Sequence, residues 1–319
     1  MSAVALITPT YSHDFQRCSL LCESVDRYVS SFTRHYLIVP DDEVTLFARF
    51  ANEWRLVLPV SELLPRWLRS LPRFLTRKNR RYWWSTRAIP VNGWHVQQFV
   101  KIAAVSVIPE PVSCILDSDI VFFRKFDLAR ATQRGITPLH VELRKVAEDA
   151  TDHANWVQSS FRLLGLGQPE FPADDYIGHI IFWDQRAVRA MTTRIEEVTK
   201  LHWVDALCRA HAISEYMLYG YFVRNDSAFL CDHRPTSDSP CLSYWEGTAL
   251  DQPALKRILQ SATDQYAAFS AASFSGTSVQ DIREVLGEFE ESDCASLIGP
   301  NAAVIPARER TDVRLYQRS

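Results

Sequence analysis

Four short apolar runs in the first 116 residues alternate with segments whose apolar residues recur at helical spacing. Strands that are separated by helices in this way pair mostly in parallel, because each crossover returns the chain in the same direction. The runs expected to form strands are Ala3–Thr8, His35–Val39, Arg55–Val60 and Val112–Leu116. The pattern predicts an α/β protein with a mostly parallel central sheet and helices on both faces.

The second half of the chain continues the alternation less regularly. Further strands are expected over Ile136–Val141 and Tyr176–Trp183. One helix is predicted before the fourth strand, over Gly93–Ile108. The helices predicted after it are Lys125–Ala131, 149–166, Gln185–Lys200 and Glu215–Val223. From about Asp226 onward turn residues are frequent, and the pattern predicts no clear element. Because the chain shows no repeat or linker, we expect a single domain over residues 1–319 with an insertion at about 65–88.

Composition and charge narrow the class of protein. Hydrophobic residues make up 47% and charged residues 23% of the chain, which is typical of a globular protein and not of a disordered one. The formal net charge of −3 argues against a nucleic-acid partner. Seven scattered cysteines without a CxxC pair fit a reduced compartment. With no apolar segment typical of a signal peptide or a membrane span, we expect a cytoplasmic protein, soluble or peripheral at the inner membrane face.

The triplet Asp117-Ser118-Asp119, called the DxD triplet below, directly follows the fourth predicted strand. Ligands of open parallel sheets bind beyond the carboxyl ends of the strands, which is where the triplet should lie. Two carboxylates separated by one residue can bind Mn²⁺ or Mg²⁺, with water and phosphate oxygens in the remaining positions. A solvated turn after a strand explains such a triplet equally well. The choice between a metal site and a turn therefore depends on the residues around the triplet.

Polar side chains near the triplet suit a nucleotide ligand. Gln97 and Lys101 are four residues apart and share one face of a predicted helix, from which the lysine could reach a phosphate. Thr8, Thr10 and Tyr11 follow the first strand at the same sheet edge, where hydroxyls and a ring could hold a nucleotide. Each also has a plain structural interpretation, as a surface charge or as a strand-to-helix turn.

Seven segments of the chain resemble, in the same order, a bacterial family that is mainly of unknown function. They extend from about Ala3 to Trp245 and read LITPTYSHDFQRC, CESVDRYV, HYLIVPDDE, GWHVQQFVKIAA, CILDSDIVFFRKFDL, DDYIGHIIFWDQRAV and SEYMLYGYFV. That family is similar to the nucleotide-diphospho-sugar transferases of the GT-A fold. The resemblance implies that both aspartates of the DxD triplet bind the metal and that Thr8, Thr10 and Lys101 lie near the donor.

These observations predict a metal-dependent glycosyltransferase. It would move a sugar from a nucleotide-diphosphate donor to a glycan or lipid-linked acceptor, in the synthesis of bacterial surface polysaccharide. An inverting enzyme of this class needs a carboxylate as general base, for which Glu215 and Asp175 are candidates, whereas a retaining enzyme needs none. His233 is, by its position late in the chain, the candidate for a further metal ligand.

Residues 65–88 carry eight basic residues and no acidic one, so the rest of the chain has a formal charge of −11. Tryptophan, tyrosine and phenylalanine side chains are interleaved with the arginines. Arginine with tryptophan suits anionic headgroups, a lipid-diphosphate acceptor or an acidic polysaccharide. We expect the segment to contact an anionic membrane; a solvated insertion is the alternative interpretation.

Two other functions fit part of the pattern. The run from Ile115 to Val121 also matches the start of a haloacid-dehalogenase-like phosphatase, in which Asp117 would be the nucleophile. That motif normally belongs to the first strand of its fold, whereas several predicted strands precede it here. A non-catalytic protein that binds nucleotide-sugars would keep the donor residues and would need no base.

Overall fold

The computed structural model describes residues 3–71, 81–87, 90–132, 135–210 and 212–297, with side chains through residue 288. The strands are β1 (Val4–Pro9), β2 (Val29–Ser30), β3 (Arg34–Val39), β4 (Arg55–Pro59), β5 (Arg69–Ser70), β6 (Tyr82–Trp84), β7 (Val91–Asn92), β8 (Val112–Ile115), β9 (Ile120–Phe122), β10 (Phe126–Asp127), β11 (Thr137–His140), β12 (Glu142–Val146), β13 (Ala173–Asp175), β14 (Ile181–Asp184), β15 (His233–Thr236), β16 (Cys241–Tyr244) and β17 (Ala268–Ala271). The helices are α1 (Phe15–Tyr28), α2 (Val44–Phe47), α3 (Gly93–Val107), α4 (Leu128–Ala131), α5 (Thr151–Leu164), α6 (Gln185–Thr199), α7 (Trp203–Arg209), α8 (Glu215–Asn225), α9 (Ser227–Leu230), α10 (Gln252–Gln260) and α11 (Val279–Leu297).

The central sheet has five strands in the order β14-β8-β1-β3-β4. Strands β8, β1, β3 and β4 are parallel to one another, and β14 runs antiparallel to β8 at one edge. The mostly parallel α/β sheet that the sequence predicts is confirmed. The four predicted strands of the first half match β1, β3, β4 and β8 to within one residue at each end.

Helices cover both faces of this sheet because successive side chains of a strand point to opposite sides. Val4 and Leu6 of β1 pack in one buried cluster with Leu21 of α1. Ala5 and Ile7 point the other way, into the large cluster that contains residues of α3, α6 and α8. The fully apolar run of β1 is thus the pattern expected of a strand that is buried on both faces.

The predicted strand over Tyr176–Trp183 is wrong in its first part, because β14 begins only at Ile181. The residues between β13 and β14 cross over at the sheet edge, and Ile180 there has a φ of 60°, which no strand accommodates. The predicted helix over Lys125–Ala131 is shorter than expected. It begins at Leu128, because Asp127 caps it by accepting a hydrogen bond from the Ala129 amide.

The part of the chain beyond residue 226, for which the sequence predicts no clear element, returns to the middle of the molecule. Strand β17 lies between β16 and β9 and is antiparallel to β9, which is the strand that follows the DxD triplet. This register places Ser270 opposite Ile120. The C-terminal part therefore brings its own side chains next to Asp119.

No helix in the part of the chain that the structure describes is both long and apolar enough to cross a membrane.

Candidate functional site

Three chain segments meet at one edge of the central sheet. Strands β1 and β8 are adjacent and parallel, so the loops that follow them leave at the same edge. The amide of Leu116 still donates to the Ile7 carbonyl oxygen at 2.9 Å, which carries this pairing up to the DxD triplet. Because β14 is antiparallel to β8, the residues that precede β14 arrive at this edge too. The topology thus collects side chains from residues near 10, 117 and 179.

Lys101 of α3 lies at the centre of the site, with only 8% of its side chain exposed. Its Nζ is 2.9 Å from Oδ1 of Asp117, 2.9 Å from Oε1 of Glu215 and 2.9 Å from the hydroxyl of Tyr216. Burial disfavours the charged ammonium, but Asp117 and Glu215 outweigh this and hold the pKa of Lys101 well above its usual value. An ammonium group has three protons to donate, and these three oxygens can accept all of them.

The two aspartates of the DxD triplet differ in their ionisation. Burial raises the pKa of Asp117, but the neighbouring Lys101 outweighs burial and keeps that pKa below its usual range. Burial and the charge of Asp117 raise the pKa of Asp119 to about 7. Asp119 accepts hydrogen bonds from the Ser270 hydroxyl at 3.4 Å and the Ser273 amide at 3.1 Å. Asp117 is thus held ionised by a lysine, whereas Asp119 takes up a proton near neutral pH.

Asp14 adds a third carboxylate that the sequence interpretation missed. It is buried beyond the end of β1, and burial together with the charge of Asp117 raises its pKa. Asp14 in turn contributes to the raised pKa of Asp119. The signal in the sequence was its place shortly after the first strand, at the same edge as the DxD triplet. Negative charge therefore accumulates where strands β1 and β8 end.

His179 is the histidine that the structure brings to this edge. Its Nε2 is 3.3 Å from the Ser270 hydroxyl, which also contacts Asp119, and its Nδ1 is 2.8 Å from the Ser243 hydroxyl. The ring stacks on Trp245 with 4.5 Å between ring centres. Burial lowers the pKa of His179 to about 4, so the imidazole is neutral near pH 7. No signal in the sequence indicates this placement, because it depends on β14 running antiparallel to β8.

His233, the predicted further metal ligand, bonds to groups of α8 and α9, and its role as a ligand stays a prediction. Its Nε2 is 2.7 Å from the hydroxyl of Tyr219 and its Nδ1 is 2.7 Å from the carbonyl oxygen of Phe229. The same Tyr219 hydroxyl accepts a hydrogen bond from the Asp184 amide. Both ring nitrogens thus serve the packing of β14, α8 and β15.

The two predicted catalytic carboxylates lie in different surroundings. Glu215 begins α8, is only 6% exposed and is joined to Asp117 through Lys101. Its amide donates to Oε1 of Gln98, which fixes the start of the helix against α3. Asp175, on β13, accepts hydrogen bonds from the His153 ring at 2.8 Å and the Ile177 amide at 2.9 Å. Glu215 is therefore well placed to hold Lys101, and Asp175 to hold His153.

Thr8, predicted to lie near the donor, is a structural residue of the sheet interior. Arg55 Nε donates to Nδ1 of His35 at 3.0 Å, so that the protonated Nε2 of His35 donates to the Thr8 hydroxyl at 3.0 Å. Arg55 continues this buried chain of hydrogen bonds to Asp26. Thr8 is fully buried and its hydroxyl is engaged by His35, and its contact with the donor stays a prediction.

The other predicted donor residues lie nearer the sheet edge. Thr10 is buried, with its amide bonded to the Ile38 carbonyl oxygen. Tyr11 is half-buried, and burial together with Asp14 raises the pKa of its hydroxyl. On α3 it is Gln98, and not the half-buried Gln97, whose side chain bonds to the residues around Lys101.

The basic aromatic segment is described at 65–71 and 81–87, so the parts of that prediction at residues 72–80 and at residue 88 lie outside the described residues. Arg81 forms ion pairs with Asp42 at 2.9 Å and with Glu43 at 2.6 Å. Glu43 also accepts two hydrogen bonds at 2.6 Å from the amide and hydroxyl of Ser12. Arg81 thus connects the C-terminal end of the segment to the loop that follows β1, beside Tyr11.

A family described as a family of unknown function (DUF6492) matches residues 1–292. The chain belongs to this family. The match includes every residue of the site described above. No curated protein shows a significant match to the chain. Membership of this family assigns no activity to the chain, so what the site can bind follows from its own residues.

The chemistry of the sheet edge fits a hard divalent cation. Among the described residues, no group of three or more histidine, cysteine, aspartate or glutamate side chains is arranged to hold a metal ion. Magnesium and related ions are, however, often held by one or two carboxylates together with water and substrate phosphates. Asp117 and Asp119 provide such a pair, and the side chain of Asp117 is 35% exposed, so a ligand can reach it. The raised pKa of Asp119 is the observation that favours a cation here.

Proposed function

We propose that this protein is a metal-dependent glycosyltransferase of GT-A-like fold, which moves a sugar from a nucleotide-diphosphate donor to a glycan or lipid-linked acceptor. The observation that carries the proposal is the concentration of Asp14, Asp117 and Asp119 at the carboxyl ends of two parallel strands. Mutual repulsion at such an edge is relieved when a cation and its phosphate ligand bind. Synthesis of bacterial surface polysaccharide is the process proposed for it.

Each residue of the site then has a defined task. Asp117 and Asp119 hold Mn²⁺ or Mg²⁺, which when bound stabilises the negative charge that develops on the departing diphosphate. Lys101 fixes the orientation of Asp117, and Glu215 fixes Lys101. Tyr11 offers a half-buried ring at the same edge, where a nucleotide base can stack.

The two candidates for the base of an inverting reaction are both paired, Glu215 with Lys101 and Asp175 with His153, so either would have to give up its partner to take the acceptor proton. A retaining reaction would need no such base. Inverting and retaining reactions are distinguished by measuring the anomeric configuration of the product. That measurement requires a known donor and a known acceptor.

The experiment that tests the proposal is a thermal-shift screen with UDP-, GDP-, CMP- and dTDP-sugars in the presence of Mn²⁺, repeated with EDTA. We expect one nucleotide class to raise the melting temperature with metal and not with EDTA. A ligand at 100 times its Kd stabilises the folded state by about 2.7 kcal/mol, which a melting curve resolves easily.

Each possible outcome of this screen has a distinct meaning. If no nucleotide stabilises the protein with or without metal, the proposal fails. Stabilisation by a nucleotide-sugar without transfer to any acceptor would indicate the non-catalytic binding protein. Release of inorganic phosphate from a phosphomonoester, abolished by Asp117→Asn, would favour the phosphatase.

Contact of residues 65–88 with an anionic membrane is also proposed, for a cytoplasmic protein that is peripheral at the inner membrane face. We expect the protein to float with anionic vesicles but not with zwitterionic ones, and less at high salt because salt screens the attraction. The double variant Arg66→Gln/Arg69→Gln, at two exposed positions, should reduce flotation. The matched control is Arg130→Gln/Lys145→Gln, which removes two exposed charges elsewhere. No flotation of the wild type with anionic vesicles would refute the membrane contact.

A further inference from the structure

A group of rings lies at the start of helices α3 and α5, outside the site described so far. The ring of Trp94 is 5.8 Å from that of Trp156, and the ring of His153 is 4.8 Å from that of Trp156. Trp94 is 48% exposed, although it is one of the largest apolar side chains of the molecule. The three rings form one contiguous patch with Trp94 at its exposed end, and contiguous apolar patches occur at ligand-binding surfaces.

The polar partner of this aromatic group is Asp175. Its Oδ2 accepts a hydrogen bond from Nδ1 of His153 at 2.8 Å, and its Oδ1 accepts one from the Ile177 amide. His153 keeps 41% of its side chain exposed, whereas Asp175 keeps only 10%, so the imidazole lies at the surface beside the tryptophan rings and the buried carboxylate holds it there. The cluster thus presents ring faces and a hydrogen-bonding pair side by side.

Helix α3 connects this cluster to the lysine of the sheet-edge site. Trp94 and Lys101 are seven residues apart, which is almost two full turns, so they lie on the same face of the helix. At 1.5 Å per residue they are separated by about 10 Å along the axis. Gln97 lies between them on this face and is half-buried.

A second connection runs through the chain between β13 and β14. Asp175 is followed by Tyr176, whose ring packs directly on Gly220 of α8, where a Cβ atom would lie 2.1 Å from the ring. The same stretch continues to His179 at the sheet edge. Because α8 begins with Glu215, the segment that carries Asp175 is held against the helix that holds Lys101.

We propose that Trp94, Trp156 and the His153–Asp175 pair form a binding subsite for a saccharide, which is the acceptor of the transferase proposed above. Sugar rings alternate apolar C–H faces, which stack on tryptophan, with hydroxyl groups, which can bond to Nε2 of the exposed imidazole. The buried carboxylate of Asp175 fixes that imidazole through Nδ1. The inference rests on the proposed function for the role of this saccharide, but its binding can be measured without a donor.

The test is saturation-transfer NMR with cellopentaose, maltopentaose, chitopentaose and a dextran oligomer, without nucleotide or metal. We expect the wild-type protein to bind at least one of them. Trp94→Ala should weaken that binding about tenfold, as expected for the loss of a central tryptophan contact. Trp94→Phe, which retains a ring, should keep most of it. The matched control is Trp54→Ala, which removes a half-buried tryptophan just before β4 and should leave saccharide binding unchanged.

The outcomes separate this inference from the donor proposal. If the wild type binds none of the saccharides, or if Trp94→Ala and Trp54→Ala behave alike, the subsite is refuted. Stabilisation by nucleotide and Mn²⁺ should be the same in Trp94→Ala as in the wild type, so loss of saccharide binding with intact donor binding supports the subsite. If no nucleotide binds but the saccharide effect of Trp94 remains, the donor proposal fails and the subsite stands. Sedimentation that shows self-association abolished by Trp94→Ala would instead assign the cluster to a second copy of the chain.

Discussion

Replacing Lys101 with methionine is expected to destabilise the protein by about 3–5 kcal/mol, the usual cost of removing one partner of a buried ion pair. The variant would leave the carboxylate of Glu215 buried without its cation and would deprive Asp117 of the same partner. Methionine has a similar length, so the loss arises from charge and hydrogen bonding and not from a cavity. Equilibrium unfolding in urea at pH 7 measures the effect.

Two further variants test the cause of this loss. Lys145→Met removes an exposed lysine that pairs with Glu142 at 3.0 Å, and it should change the free energy of unfolding by less than about 1 kcal/mol. Adding Glu215→Gln to Lys101→Met should recover part of the loss, because the unpaired charge is then gone. Equal effects of Lys101→Met and Lys145→Met would contradict the buried ion pair.

The pH dependence of this difference follows from the two pKa shifts. The pKa of Asp117 is lowered in the folded protein, so its contribution is present at neutral pH and is lost as pH falls through the lowered value. The pKa of Lys101 is raised, so its contribution is lost only as pH rises through the raised value. Wild type and Lys101→Met should therefore differ most around neutral pH and converge in acid.

Asp119→Asn is expected to have opposite effects on stability and on sugar transfer. The pKa of Asp119 is raised to about 7, so the folded state binds its proton more tightly than the unfolded chain. Wild-type stability must then fall as pH rises from the ordinary value of 3.8 to about 7. The asparagine variant lacks this fall and should be more stable by about 1–3 kcal/mol at pH 8 without metal.

The same substitution removes a proposed metal ligand. Transfer should drop about 100- to 1,000-fold, because the cation contributes several kcal/mol to the transition state. Mn²⁺ should raise the melting temperature of the wild type and not that of Asp119→Asn. The control is Asp264→Asn, at an exposed aspartate, which should alter neither stability nor transfer. If Asp119→Asn is less stable than the wild type at pH 8 without metal, the repulsion at the sheet edge is not the dominant effect.

The fold could be predicted largely from the sequence because its strands are marked by local patterns. Apolar runs that end at proline or aspartate identified the strands that became β1, β3, β4 and β8. Prediction failed between Tyr176 and Ile180, where the residues are as apolar as a strand but the chain crosses an edge. The positive φ of Ile180 is imposed by the surrounding packing, and no side chain in the segment signals it.

The site, like the fold, has one part that the sequence predicted and another that depends on the tertiary structure. Local sequence by itself determined that a pair of aspartates would follow a buried strand, and that a lysine would lie on the helix before it. Only the tertiary structure decided which groups the lysine meets, because Glu215 is 114 residues away from Lys101 in the chain. It also brought His179 to the edge, since β14 runs antiparallel to β8. Hydrogen bonds and ion pairs depend on distances between elements, and a pattern within one element does not contain those distances.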